Sequence, residues 1–299
     1  MAGGKIVLGA NQYGKAEVRL VKVTRDTARH EISDLNITSQ LRGDFDAAHV
    51  DGDNANVIAT DTQKNTVFAF ARDSVGAPEE LLLRLGRHFV EDFSWVSGGR
   101  WTAEKYSWSH IDMGDGEHDH AFVRGGTETR TAAVTFDGDT PTVIAGLTDL
   151  ALLKSTGSEF VGFPRDGYTT LQDATDRVLA TSVTSKWRYN TLDLDYDEVY
   201  ADVRRLMLRA FARKHSHALQ HTLFQMGQAV LEAHPEIDEI RFSMPNRHHF
   251  LVDLSPFQLD NPGEVFFASD RPYGLIEAAV QRDDAGDPGQ AWEGMAGFC

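Results

Sequence analysis

Three stretches far apart in the chain carry the side chains that proton transfer and anion binding use, with no cysteine pair and no glycine-rich phosphate loop beside them. The first is Gln12-Tyr13-Gly14-Lys15-Ala16-Glu17-Val18-Arg19, joined by Ile58-Ala59-Thr60-Asp61-Thr62-Gln63-Lys64-Asn65-Thr66. A lysine taken out of water loses its preference for the ammonium form and can accept a proton near neutrality, and a threonine hydroxyl can pass one on. The second is Leu153-Lys154-Ser155-Thr156-Gly157-Ser158-Glu159-Phe160-Val161-Gly162-Phe163, followed by Tyr168-Thr169-Thr170-Leu171 and Asp176-Arg177. A guanidinium offers two parallel N–H donors to an anion, and Phe160 lies in an apolar stretch. The third is Ser243-Met244-Pro245-Asn246-Arg247-His248-His249-Phe250, where a period of two puts His248 on one side with Phe250, Val252 and Leu254. Gln220, within Ala218-Leu219-Gln220-His221-Thr222, has an amide that donates and accepts at once.

Each of these residues has a plain structural role beside the chemical one. Read alone, Lys15 is a solvated edge lysine and Thr60-Asp61-Thr62 a strand end with turn-forming side chains. Phe160 reads as core, Arg177 as surface charge, Gln220 as a solvent-facing amide and His248 as a hydrogen-bonded core histidine.

The elements that must position them read as α+β. Residues 18–23 and 31–41, separated by the polar stretch 24–29, predict a hairpin. Alternation changes phase at Leu20-Val21, which suits either a bulge or a strand buried on both faces. A polar stretch after Ala59 leads to Pro78, suited to the first position of a helix, with Glu79 and Glu80 in its first turn and Leu82, Leu85, Phe89 and Phe93 along one stripe. Strands are expected around 100–109 and 120–136, then 142–155 and 183–193. Two further stripes, Val199, Val203, Leu206, Met207 and Ala210, then Leu219, Leu223, Met226 and Val230, predict an antiparallel helix pair joined at 214–216. The closing strands are expected at 239–244, 248–254, 264–269 and 275–282, with Pro245-Asn246 as a turn. Hairpin, helices and hairpin, twice over, predict an α+β fold with antiparallel sheets and helices on one face. Gly138-Asp139-Thr140-Pro141 marks a boundary between domains 1–139 and 140–299.

Composition excludes several classes. A length of 299 residues accommodates two cores, and 41% apolar with 25% charged residues is the balance of a folded soluble chain. No apolar run approaches the roughly 18 residues of a membrane span, and the N-terminus lacks a secretory apolar core. The single cysteine, Cys299, permits no intrachain disulfide and no thiolate metal cluster, which fits a reducing compartment. Gly297-Phe298-Cys299 is not a Ser-Lys-Leu address, so a bacterial cytoplasm is expected rather than a peroxisome. A formal charge of −16 argues against nucleic-acid and membrane partners, its plain reading being solubility of a large assembly. A small anionic ligand would need a local cationic grip against that field, which singles out any buried arginine. The 12 histidines include His118-Asp119-His120, His215-Ser216-His217 with His221, and His248-His249; none has HExxH spacing or a cysteine partner, and no catalytic metal is expected.

In order, from Lys5 to Leu275, the motifs resemble those of the urate oxidase (uricase) family. That resemblance implies two tandem tunnelling-fold (T-fold) domains, four chains forming a hollow barrel, and active sites at subunit interfaces. It implies oxidation of uric acid to 5-hydroxyisourate and hydrogen peroxide with O2 as co-substrate and no cofactor. Lys15, Thr60 and His248 would then form a proton relay, with Thr60 and Asp61 acting on a substrate bound mainly by a neighbouring chain. Phe160 would stack on the purine, Arg177 and Gln220 would hold its polar edges, the backbone at Leu219 would lie against it, and Asn246 would help hold oxygen or water above it. Two other readings stand beside this one: a metal-dependent T-fold enzyme acting on another purine or pterin, and a purine-binding oligomer without turnover.

Overall fold

Runs rich in valine, threonine and aromatic residues become long antiparallel strands, and the amphipathic stretches between them become helices laid on those strands. The computed structural model describes residues 4–295. The chain divides into two compact units, one running to Ala145 and taking back Asp287–Glu293, the other with Gly146–Gly286 as its body.

In the first unit, β1 (Tyr13–Thr24) and β2 (Glu31–Gly43) form the expected hairpin. Their register slips between Lys15 and Val18, where Glu17 adopts φ 58°. The break in alternation thus comes from a bulge upstream of Leu20-Val21, not from a strand buried on both faces; Val21 remains 57% exposed. After a short helix α1 (Asp46–Val50) come α2 (Thr60–Asp73), α3 (Pro78–Asp92), β3 (Val96–Asp112) and β4 (Glu117–Asp137). The strands lie in chain order, each antiparallel to the next. Leu81, Leu82, Leu85 and Phe89 bury the stripe of α3, each contributing about 1.5–3 kcal/mol, and the ring of Phe89 lies nearly parallel to Trp101 at 6.2 Å. Gly86 permits the approach: a Cβ there would meet the Phe136 ring at 2.3 Å.

Helix α2 departs from the expectation of a strand end followed by a polar stretch. Only Gln63, Val67 and Ala71 are buried along it, so its apolar stripe is too thin to announce a helix.

The second unit contains the later part of β5 (Thr140–Lys154), then β6 (Leu179–Tyr189), α4 (Tyr196–Arg213), α5 (Leu219–Ala233), β7 (Ile237–Leu251) and β8 (Phe266–Gln281). The sequence-based boundary at 139/140 falls at the start of β5, the strand within which the units divide. Asp195 caps α4, its carboxylate accepting from the Glu198 N–H at 2.9 Å. Trp187, Met207, Met226, Ile240 and Phe242 are fully buried. Gly227 does for α5 what Gly86 does for α3, since a Cβ there would lie 2.7 Å from Val280.

The four expected closing strands are two long ones, and Pro245-Asn246 is not a turn. Pro245 pairs with Leu275 and Asn246 with Gly274 on β8, while Asn246 also faces Thr181 on β6. A proline inside a strand is tolerated next to an irregularity, and here the register shifts between Asn246 and His248. No helix among the described residues is long and apolar enough to cross a membrane, and Cys299 with its two preceding residues lies outside them.

Candidate active site

The first set of chemistry-bearing residues is built on β1 and the start of α2. A Cβ at Gly14 would sit 1.8 Å from the Ser39 carbonyl oxygen, so only glycine lets the entry of β1 lie this close to β2. Tyr13 Oη donates to the Ile58 carbonyl at 3.2 Å and accepts from the Ile58 N–H at 2.8 Å. Its ring meets Phe45 edge-on at 4.7 Å. That double bond ties the start of β1 to the segment entering α2, and so fixes Lys15 relative to Thr60. Beneath them the buried Gln63 accepts from Ser39 Oγ at 3.1 Å and donates to the Ile58 carbonyl at 3.4 Å.

Thr60 opens α2 and Asp61 occupies its first turn, the end of a helix that favours negative charge. The Asp61 carboxylate accepts from Lys64 at 2.5 Å and from Asn65 at 3.0 Å. The hydrogen bond and charge of Lys64, with lesser help from Asn65 and the charge of Lys15, hold its carboxyl below the usual range. Lys15, half-buried, therefore stands within electrostatic reach of the Thr60-Asp61 turn.

The second set is gathered by a loop that sequence patterns leave without a regular element. Asp176 accepts from Thr156 Oγ1 at 2.6 Å and from the Gly157 N–H at 2.9 Å, and the Arg177 N–H donates to the Ser158 carbonyl at 2.8 Å. Phe160 and Ala174 exchange both backbone hydrogen bonds, at 2.7 and 3.0 Å. These ties bring the Arg177 guanidinium over the Phe160 ring, 5.3 Å from its centroid, while Phe160 stacks on Phe163 at 5.0 Å. The Nε of Arg177 is buried and has no hydrogen-bond partner among the described residues. Burial alone pulls its pKa below the ordinary arginine value.

The same loop is stapled to α5. Ser158 and Ser216 form a parallel bridge, with Glu159 N–H donating to the Ser216 carbonyl at 2.8 Å and Ser216 N–H to the Gly157 carbonyl at 3.0 Å. Thr222 Oγ1 donates to Ser216 Oγ at 2.7 Å within the first turn of α5. Leu219 is buried there and Gln220 exposed. Ala218 precedes the helix without a capping side chain, and its first turn holds no acidic residue. At the cap position the leading N–H groups of α5 thus have no side-chain acceptor.

On β7, Asn246 and His248 flank the register shift. The His248 ring stacks on Phe250 at 5.7 Å, but Phe250 is 52% exposed, so this face is not core and His248 is not a core histidine. Its pKa is lowered by burial first, then by the charges of Arg177 and His249, which puts Arg177 and His248 in one electrostatic environment. His249 bonds the Arg247 carbonyl at 3.1 Å.

Lys15, Thr60 and Asp61 thus belong to the first unit, and Phe160, Arg177, Leu219, Gln220, Asn246 and His248 to the second. The positioning residues Tyr13, Ser39, Gln63, Ser216 and Thr222 are missed by sequence reasoning. Their partners lie on other elements, and the one visible signal is Gly14 beside Tyr13.

The family model described as Uricase matches residues 11–135 and 143–277. The chain is 63% identical over 297 residues to a uricase of Arthrobacter globiformis, covering 99% of this chain and 97% of that one. It is 38% identical over 277 residues to a uricase of Dictyostelium discoideum, covering 91% and 96%. The crystal structure of uricase from Arthrobacter globiformis matches with a TM-score of 0.93 at 64% identity, over 97% of this chain and 99% of that one. Family match, whole-length identity and shared α+β T-fold architecture agree: this chain is an enzyme of the uricase family.

Proposed function

We propose that the chain oxidises urate with O2, giving 5-hydroxyisourate and hydrogen peroxide without a cofactor. The observation that carries this reading is the Arg177 guanidinium, held over the Phe160 ring with a buried Nε that no group among the described residues satisfies. A buried donor without an acceptor is costly, and an anion laid flat on Phe160 would supply one. Urate is such an anion. Arg177 donates to one of its edges, Gln220 both donates and accepts along the other, and the backbone at Leu219 lies against it.

The chemistry asks little of a redox group. Deprotonated urate is a conjugated, electron-rich anion, and it passes two electrons and a proton to O2, which leaves as hydrogen peroxide once a second proton reaches it. Water then adds to the oxidised ring, so that the urate anion, O2, H2O and the one proton delivered by the protein together balance 5-hydroxyisourate and H2O2. The protein holds the reactants and moves protons. Lys15, Thr60 and His248 carry them, and Asn246 holds oxygen or water above the ring. His248, kept neutral by its surroundings, is ready to accept. Thr60 and Asp61 act on urate clamped by a neighbouring chain, within a cytoplasmic homotetramer of chains whose T-fold domains are 1–139 and 140–299.

Urate absorbance and dissolved oxygen, followed with metal-free protein under air and under nitrogen, test the proposal. Equimolar loss of both under air, and none under nitrogen, is expected. Tight urate binding with no oxygen consumption would leave a purine-binding protein, and turnover only after a metal or flavin is added would overturn the cofactor-free reading.

A further inference from the structure

We infer that Glu159, His215 and His217 form a binding site for a divalent transition-metal ion of the zinc type, separate from the residues assigned to urate. One ligand atom from each of these three side chains lies within 4.8 Å of the other two. His217 Nδ1 is hydrogen-bonded to Glu159 Oε1, and His215 Nε2 stands 3.5 Å from Glu159 Oε2. The arrangement follows from the backbone. Ser216 is buried and bonded on both sides to the 157–159 segment, while the flanking His215 and His217 are exposed and both lie beside Glu159. Their rings meet at 5.0 Å, and His221 stacks on His217 at 5.2 Å, which narrows the orientations available to it.

Two imidazoles and a carboxylate are the donors zinc prefers, at about 2.0–2.2 Å from the ion, with water free to complete a tetrahedron. Binding would require the two exposed imidazoles to rotate so that the three atoms converge on that distance. One ion would then join the segment leading into Phe160 to the segment leading into α5, doing with a metal what the Ser158–Ser216 bridge does with hydrogen bonds.

Equilibrium dialysis of metal-free full-length protein against Zn2+ tests the site without reference to turnover. One ion per chain with micromolar affinity is expected, weakened at least tenfold by His215→Ala and by Glu159→Gln. Zn2+ should also raise the thermal midpoint of the parent protein and not that of His215→Ala, while His215→Ala without Zn2+ keeps the parent's midpoint and urate turnover. Affinity no tighter than millimolar in the parent, or unchanged affinity in both variants, would overturn the inference.

Discussion

The two units begin a helix in the same way and use it differently. Both α2 and α5 follow an alanine that cannot cap, leaving the first N–H groups of the helix without a side-chain acceptor. In α2 the protein supplies its own negative charge, Asp61, and neutralises it with Lys64. In α5 no acid is supplied, and the nearby loop brings Arg177, whose buried Nε lacks an acceptor among the described residues. One end is electrostatically complete and suited to handing protons; the other is left positive and suited to receiving an anion. The contrast teaches that similar supersecondary pieces acquire opposite roles through one or two side chains.

Breaking the first end should cost chemistry rather than affinity. Lys15→Met and Thr60→Ala are expected to lower kcat by about 10²–10⁴-fold with little change in the dissociation constant for urate, measured by anaerobic binding and steady-state turnover. Breaking the second should do the reverse. Arg177→Ala is expected to weaken anaerobic urate binding by on the order of 100-fold, as for a buried charge-assisted pair, and Arg177→Lys should not restore it because the fork is lost. Equal loss of affinity in all three positions would erase the contrast.

Proton linkage sharpens it further. The folded pKa of His248 lies below its unfolded value of about 6.5, so the unfolded chain binds the extra proton between the two. The stability contribution is therefore complete above about pH 6.5 and is lost as pH falls through the folded value. Proton-acceptor function at His248 should fail over the same acid range. Replacing Arg177 with glutamine removes the second-ranked cause of the shift, and the His248 resonance, followed by NMR, should then titrate at higher pH. No movement would separate the two residues. The smallest effect is reserved for Gln220→Ala: loss of about 1 kcal/mol, or roughly fivefold in affinity, since its amide is exposed before urate arrives.

How much of this could be read from the chain depends on where the determining contact lies. The hairpin at β1–β2, the stripe of α3 and the α4–α5 pair are legible because their signals are local: alternation, helical spacing, Pro78 and two acids. Helix α2 is hidden by its own polarity, with Gln63 satisfied by Ser39 across the unit. Pro245 reads as a turn because a single sequence shows the missing N–H and not the register shift that accommodates it. Site residues are named by motif, but their placement depends on contacts such as Tyr13 with Ile58 and Asp176 with Thr156 and Gly157, which no spacing rule predicts.

The division of labour is tested most directly by mixing chains. Lys15→Met and Arg177→Ala proteins, each nearly inactive as a homomer when assayed at urate concentrations far below the weakened dissociation constant of the Arg177→Ala protein, would be co-refolded and the mixed assembly isolated through two tags. If the proton-handling end and the anion clamp come from neighbouring chains, random pairing leaves about one quarter of the sites intact, and urate oxidation should return to that fraction of the parent rate. Mixed assemblies as inactive as either homomer would contradict the account.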